Sequence, residues 1–281
     1  MASIIDGKKI SEDMLDGLKS SIQKLKDEFN LTPGLAVVIV GDDPASHTYV
    51  NMKEKKCNEV GMYSEVHRLP ESISELELLK IIEELNYNDK VHGILVQLPL
   101  PEHINEYTVN EHISFEKDVD GFHPVNIGNL QLNRPSFVPC TPKGIIELIK
   151  STGTTIEGKN AVVLGRSNIV GLPTAMLLLN ENATVTICHS RTKNLKETTL
   201  KADIIVCATG VHGVLTEDMI KEGVIIVDAG IIKLGDKMVG DVNFDDVMHK
   251  TSFITPVPGG VGPMTIAMLM KNTYEAALKC V

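Results

Sequence analysis

In the run SHTYVNMKEKK, Tyr49 and Lys53 stand four residues apart, about one helical turn, so the phenol and the amine share a face. Lys55 and Lys56 point elsewhere. An amine partly shielded from water beside an aromatic ring has its pKa drawn toward neutrality and can move protons. A lysine on a helix is more often a solvated surface charge, so the pair gains meaning only from its company.

A second place for chemistry is NAVVLGRSNIVGLP, where Gly165 and Gly171 separate a strand-like run from a helix-like one. A dinucleotide fingerprint reads G-x-G-x-x-G. Here Ser167 replaces the second glycine and the last glycine arrives one residue late. A tight strand-to-helix turn still offers backbone N–H groups and a helix N-terminus to a phosphate, and an ordinary βα turn fits the pattern equally well. The next strand, TVTICHSRT, ends in His189, Ser190 and Arg191, without the carboxylate that NAD-binding units place on the ribose. Two of the chain's four arginines, Arg166 and Arg191, fall on the loops that flank that ribose in such a fold. Arginine holds a phosphate in a fork. The expected cofactor is therefore NADP, with Ser190 and an arginine on its 2′-phosphate.

These groups need a scaffold, and the hydropathy pattern supplies one. Ile10, Met14, Leu18, Ile22, Leu25 and Phe29 recur at helical steps. LAVVIV (35–40) reads as a buried strand, followed by the helix carrying Tyr49 and Lys53, which should stop near Gly61. YSEVHRL is a strand, ISELELLKIIEEL a helix and VHGILVQL a strand again. After Pro139 and Pro142 the alternation restarts with KGIIELIKS, KNAVVLG, VGLPTAMLLLN, ATVTICH, ADIIVCA and GVIIVDA. A long apolar helix then begins at Pro263, a good first-turn residue. Strands separated by helices imply parallel sheets covered on both faces. The fold class is α/β with two domains divided near residue 140, the final helix returning to brace the first.

Composition narrows the function. The 281 residues suffice for two domains, and no apolar run is long enough to span a bilayer. The N-terminus shows no secretory pattern. Five cysteines form neither a CxxC pair nor a metal-ligand spacing, so reduced thiols in a cytoplasm and no metal are expected. A formal net charge of −10 argues against a general nucleic-acid binder. A local basic cluster can still receive a small anion.

Six strings, VGDDPASHTYVNMKEKKCNEVGM, GILVQLPLP, KDVDGFHPVNIGNL, PCTPKGI, GRSNIVGLP and TPVPGGVGPMTIAML, closely resemble the bifunctional methylenetetrahydrofolate dehydrogenase/methenyltetrahydrofolate cyclohydrolase family, in order and from about residue 4 to about residue 275. The resemblance implies oxidation of 5,10-methylenetetrahydrofolate with NADP, then hydrolysis of the methenyl cation to 10-formyltetrahydrofolate. It implies a folate-binding catalytic domain over 1–140, completed by the helix at about 263–281, and a Rossmann-like NADP domain over 141–262. Tyr49 matches the tyrosine along the folate, Lys53 the catalytic lysine, Gln97 the glutamine bonded to it and Asp120 the pterin anchor. Pro258, Gly259 and Gly262 belong to a loop beside the folate. Gly165, Arg166, Ser167, Ser190 and Ile231 match cofactor contacts. The resemblance further implies a homodimer acting on a reduced folate, with or without a polyglutamate tail.

Taken singly, each of these residues has a plainer role. Asp120 could cap the turn before Gly121, with Asp118 its competitor, and Gln97 could satisfy backbone at a strand end. The glycines of PVPGGVGP could be loop punctuation. Joint occurrence in family order favours the chemical reading for Gln97 and Asp120. His123 and Cys140 receive no catalytic part.

Overall fold

Apolar, β-branched runs bounded by glycine, proline and asparagine become the strands of two parallel sheets. The computed structural model of the chain describes residues 2–235 and 237–281. In chain order, β1 (Ser3–Ile4) and α1 (Gly7–Phe29) lead to β2 (Gly34–Val40), α2 (Pro44–Val60), β3 (Tyr63–Leu69), α3 (Glu75–Asn86) and β4 (Gly93–Val96). Two short helices, α4 (Glu106–His112) and α5 (Pro124–Gln131), precede α6 (Cys140–Ser151), β5 (Asn160–Leu164), α7 (Gly171–Asn180) and β6 (Thr184–Cys188). Next come α8 (Leu195–Thr199), β7 (Ile204–Cys207), β8 (Val224–Asp228) and the antiparallel pair β9 (Ile232–Leu234) and β10 (Lys237–Val239). The chain ends with α9 (Phe244–Val247), β11 (Thr251–Ile254) and α10 (Val261–Leu278).

Two compact units result. The first comprises Asp13–Cys140 and Ile266–Val281. Its sheet runs β3-β2-β4, all parallel, and every residue of β2 is buried. Leu78, Ile82 and Leu85 of α3 and Val109 of α4 pack on Ala36, Val38, Ile94 and Val96. The C-terminal part of α10 belongs to this unit, as expected. Ala267, Met268, Leu269 and Met270 are buried in succession, so this helix needs cover all round. Met270 Sδ lies 3.4 Å from Cys57 Sγ of α2, and Asn272 Nδ2 donates to the carbonyls of Val119 (2.8 Å) and Val138 (3.0 Å).

The second unit holds the chain up to Glu12 and Thr141–Thr265. Its six strands run β1-β11-β8-β7-β5-β6, all parallel. The opening residues add a short edge strand to this sheet. Ser3 and Ile4 pair with Phe253 and Ile254 of β11, Ile5 N–H donates to Ile254 O at 2.8 Å, and Lys8 N–H donates to Gly259 O at 2.9 Å. The free edge of β11 satisfies this backbone, and a two-residue strand is too short to carry a period in sequence.

Candidate functional site

In the first unit β2 is flanked by β3 on one side and β4 on the other. The strand order therefore reverses at the carboxyl ends of β2 and β4, where open α/β sheets place ligands. The helix that leaves β2 is started by Asp43, whose carboxylate accepts from Ser46 N–H at 2.7 Å, and by Pro44 in its first turn; Gly61 ends it. Its buried stripe is Ser46, Val50, Lys53, Cys57 and Val60. Lys53 thus occupies a core position of an otherwise small or apolar stripe and is only 8% exposed. Lys55 is exposed, and Lys56 pairs with Glu59 at 2.6 Å. Tyr49 is half-buried, one turn before Lys53.

Gln97 directly follows β4 and continues its ladder, donating N–H to Val38 O at 2.8 Å. Its side-chain Nε2 donates to Leu98 O at 2.7 Å. That bond turns Oε1 outward to accept from Lys53 Nζ at 2.8 Å. The lysine thus receives a neutral acceptor rather than a carboxylate.

The two aspartates of KDVDGF divide the labour. Asp118 is buried, and its carboxylate accepts from the N–H groups of Gly121 (3.0 Å), Phe122 (3.1 Å) and His123 (2.8 Å) and from Asn126 Nδ2 (2.8 Å). It builds the turn. Gly121 is required within that turn: its φ is +77°, and a Cβ would press on the backbone of Val138 and Pro139. Asp120, freed from capping, lies close enough to Lys53 for the two charges to interact. Burial pushes the Lys53 amine below its ordinary value, while Asp120, Cys140 and Cys57 pull it back up. Burial raises Asp120, Lys53 opposes that shift, Asp118 adds to it, and a hydrogen bond from Cys140 opposes it. In both partners desolvation is the largest influence, so each pKa moves toward the other's. The arrangement can accept and return a proton.

In the second unit β5 has β6 on one side and β7 on the other, so the same reversal recurs at their carboxyl ends. A cleft of about 500 Å³ opens there, walled by the ends of all three strands. Gly165, Arg166, Ser167 and Ser190 line it. Gly165 has φ +120°, and a Cβ would overlap the carbonyl of Ala208, so the turn holds its shape only with glycine. Ser167 has structural work too, since its Oγ accepts from Val170 and Gly171 N–H, both at 3.2 Å, at the start of α7. The Arg166 and Ser190 side chains are exposed. A glycine cradle, a helix start and exposed cationic and hydroxyl groups fit a dinucleotide phosphate.

Arg191 and Ile231 are also exposed but do not line the cleft; Arg191 N–H donates to His189 Nδ1 at 3.1 Å. Pro258 and Gly259 lie in the β11–α10 turn, where the Val257–Pro258 peptide is cis, and Gly262 lies in the first turn of α10. Sequence reasoning missed the loop after β7, whose Thr209 and Val211 wall the cleft. Its signal was the third strand end of the sheet, ADIIVCATG. Cys140, given no catalytic part, lies close enough to Lys53 and Asp120 to influence both. Among the described residues no helix is long and apolar enough to cross a membrane, and no group of three or more His, Cys, Asp or Glu is placed to hold a metal ion.

Comparison with known proteins agrees with this geometry. Residues 5–120 match the family model "tetrahydrofolate dehydrogenase/cyclohydrolase, catalytic domain", and residues 139–281 match the NAD(P)-binding domain of the same family. The bifunctional protein FolD of Listeria innocua is 58% identical over 278 residues, 99% of this chain and 98% of that protein. The crystal structure of the bifunctional FolD dehydrogenase/cyclohydrolase from Campylobacter jejuni superposes with a TM-score of 0.98 at 51% identity, covering 100% of both chains. The Trypanosoma brucei enzyme, solved with NADP cofactor and inhibitor, gives 0.96 at 37% identity, covering 99% of this chain and 98% of that one. Two reversal points in two parallel sheets, one holding a buried lysine and the other a dinucleotide cradle, are thus found in a chain that belongs to the tetrahydrofolate dehydrogenase/cyclohydrolase family.

Proposed function

We infer that the chain oxidises 5,10-methylenetetrahydrofolate to the 5,10-methenyl cation with NADP and then hydrolyses that cation to 10-formyltetrahydrofolate. The observation that carries this reading is the buried Lys53, held by Gln97 at 2.8 Å with Asp120 beside it. Bound NADP supplies the acceptor for the hydride. No general base is needed in that step, because a folate nitrogen lone pair stabilises the cation left behind; what the chain must provide is orientation. Tyr49 lies along the folate and Asp120 anchors the pterin. Gly165, Arg166, Ser167, Ser190, Arg191 and Ile231 hold the dinucleotide, and Pro258, Gly259 and Gly262 border the folate.

Hydrolysis asks more of the side chains. Water adds to the methenyl carbon and gives up a proton, the ring opens at one nitrogen, and that nitrogen is protonated as it leaves. The overall step consumes one water and releases one proton. Lys53 in its neutral form takes one proton from water and returns it to the leaving nitrogen, while the adduct's remaining hydroxyl proton is lost to solvent as the formyl C=O forms. Desolvation already lowers its pKa, and the cationic substrate pushes it the same way. Gln97 fixes the amine without pinning it as ammonium.

The testing experiment follows methylene oxidation and methenyl hydrolysis separately, with NADP and NAD in parallel, in wild type and Lys53→Met. Loss of hydrolysis by about 100-fold or more in the variant, with NADP preferred by wild type, supports one lysine serving the second step. Undiminished hydrolysis in Lys53→Met overturns its role. The reading extends to a cytoplasmic homodimer that takes reduced folates with or without polyglutamate tails and binds no nucleic acid. In support of the dimer, β3 is an edge strand whose outer backbone pairs with no strand among the described residues; light scattering of the purified chain checks it.

A further inference from the structure

We propose that Asp241 is a positioning residue for the dinucleotide, fixing the loop after β7 as one wall of the cofactor cleft. Asp241 is fully buried. Its Oδ2 accepts from Thr209 N–H, from Thr209 Oγ1 at 2.9 Å and from Gly210 N–H at 3.2 Å. Thr209 Oγ1 in turn accepts from Val211 N–H at 3.2 Å. The backbone of the same segment holds the far end of the loop: Asp241 O accepts from Val214 N–H at 3.0 Å, and Gly240 O lies 2.7 Å from His212 Nδ1. Thr209, Val211 and Val214, three of the four residues of this loop that line the cleft (Ala208 is the fourth), thus all hang on Gly240 and Asp241.

Asp241 is itself held from behind. At the end of β8, Asp228 Oδ1 accepts from Asp241 N–H at 3.0 Å and Gly230 N–H at 2.9 Å, and Oδ2 accepts from Val242 N–H at 2.9 Å. Asp228 N–H donates to Thr255 Oγ1 at 2.8 Å. The chain of contacts runs from the sheet core through Asp228 to Asp241 and then to the cleft wall.

The distribution of bonds within Asp241 is uneven. Oδ2 takes three donors, whereas Oδ1 is buried and meets none among the described residues. Burying a carboxylate with one bare oxygen is costly, and a stable turn could be made with cheaper groups. What the charge adds is a set of short, charge-assisted bonds on a loop rich in glycine. A loop ordered before the ligand arrives loses less entropy on binding. None of the residues that bond Asp241 belongs to the lysine site, so its contribution should appear in dinucleotide binding alone.

The inference rests on NADP occupying the cleft after β5, and the test separates the two. Calorimetric titration of wild type with NADP checks the occupancy; no binding there overturns both readings. For Asp241→Ala we expect the NADP Kd and KM to rise about tenfold or more, with folate KM and the methenyl hydrolysis rate changed less than about twofold. Asp241→Asn keeps one acceptor toward Thr209 and should recover most of the affinity. A merely structural role would lower hydrolysis, melting temperature and dinucleotide binding together, and that pattern overturns the proposal. Should Asp241→Ala not fold, Thr209→Val deletes one donor while keeping shape and should raise the NADP KM about threefold. A folded variant of either kind with unaltered NADP affinity also overturns it.

Discussion

The lysine site and the dinucleotide cleft occupy the same place in two parallel sheets, yet they are furnished in opposite ways. At the first, side chains are buried and bonded to one another: Lys53 to Gln97, with Asp120 alongside. At the second, the cationic and hydroxyl side chains are exposed, and the fixed part is backbone, shaped by Gly165 and braced by Ser167. A site that moves protons has to be desolvated in advance, because desolvation is what shifts its pKa values. A site that holds phosphates can leave its cations in water and rely on a rigid turn for precision.

The sharpest way to break this contrast is at the turn itself. Gly165→Ala forces a side chain into the carbonyl of Ala208 at a φ of +120°. Dehydrogenase kcat/KM for NADP should fall about 100-fold, while methenyl hydrolysis, measured without dinucleotide, should stay within a few-fold of wild type. Equal loss of both would mean that the two sites are not separately furnished.

Asp120→Ala tests the other side. Weaker folate binding should raise KM about tenfold in both reactions, measured with the methylene and methenyl substrates in turn. Asp118→Ala should differ in kind, lowering the melting temperature as well, because four donors lose their acceptor. Unchanged folate affinity in Asp120→Ala would remove the anchor from the account.

Arg191→Ala should cost about fivefold in NADP KM and leave NAD turnover unchanged, as expected of an exposed cation that meets only the 2′-phosphate. The same loss with both dinucleotides would point to the shared pyrophosphate instead.

The smallest effect is a displacement in pH. On the role proposed above, in which Lys53 acts as the neutral amine, the hydrolysis rate should climb with pH through a midpoint below the ordinary lysine value of 10.5. Stability shares the sign: with the folded pKa lowered, the unfolded chain binds more protons between the two values, and stability rises with pH across that window. Lys53→Met should flatten the contribution to both, read from rate profiles and urea midpoints.

Much of this was legible in sequence, for reasons that differ by residue. LAVVIV and NAVVL are buried on both faces and announce themselves as parallel strands. The burial of Lys53 could have been read without any relative, because it falls three residues after Val50 and four before Cys57, in the stripe that ends at Val60. The pairing with Tyr49 pointed to the right lysine through a weaker argument. Without the family resemblance Asp118 and Asp120 could not be told apart, since which one caps the turn depends on Asn126 and on the backbone at 137–139 that Gly121 must clear. Ser3 and Ile4 gave no signal, because their place is set by the edge of β11, some 250 residues away in sequence. The loop at Thr209 carried no charge to draw attention; its acid, Asp241, lies 32 positions later.

A buried amine held by an amide oxygen has one more property. Desolvation lowers the Lys53 pKa, so at a given pH a larger share of it is unprotonated and nucleophilic than of an ordinary lysine. A small, flat, uncharged acylating reagent that enters where the folate enters should modify Lys53 ahead of the others, and a bound folate should protect it. The burial that lowers the pKa thereby also biases covalent chemistry toward Lys53, whose position is set by Gln97 and the stripe of α2.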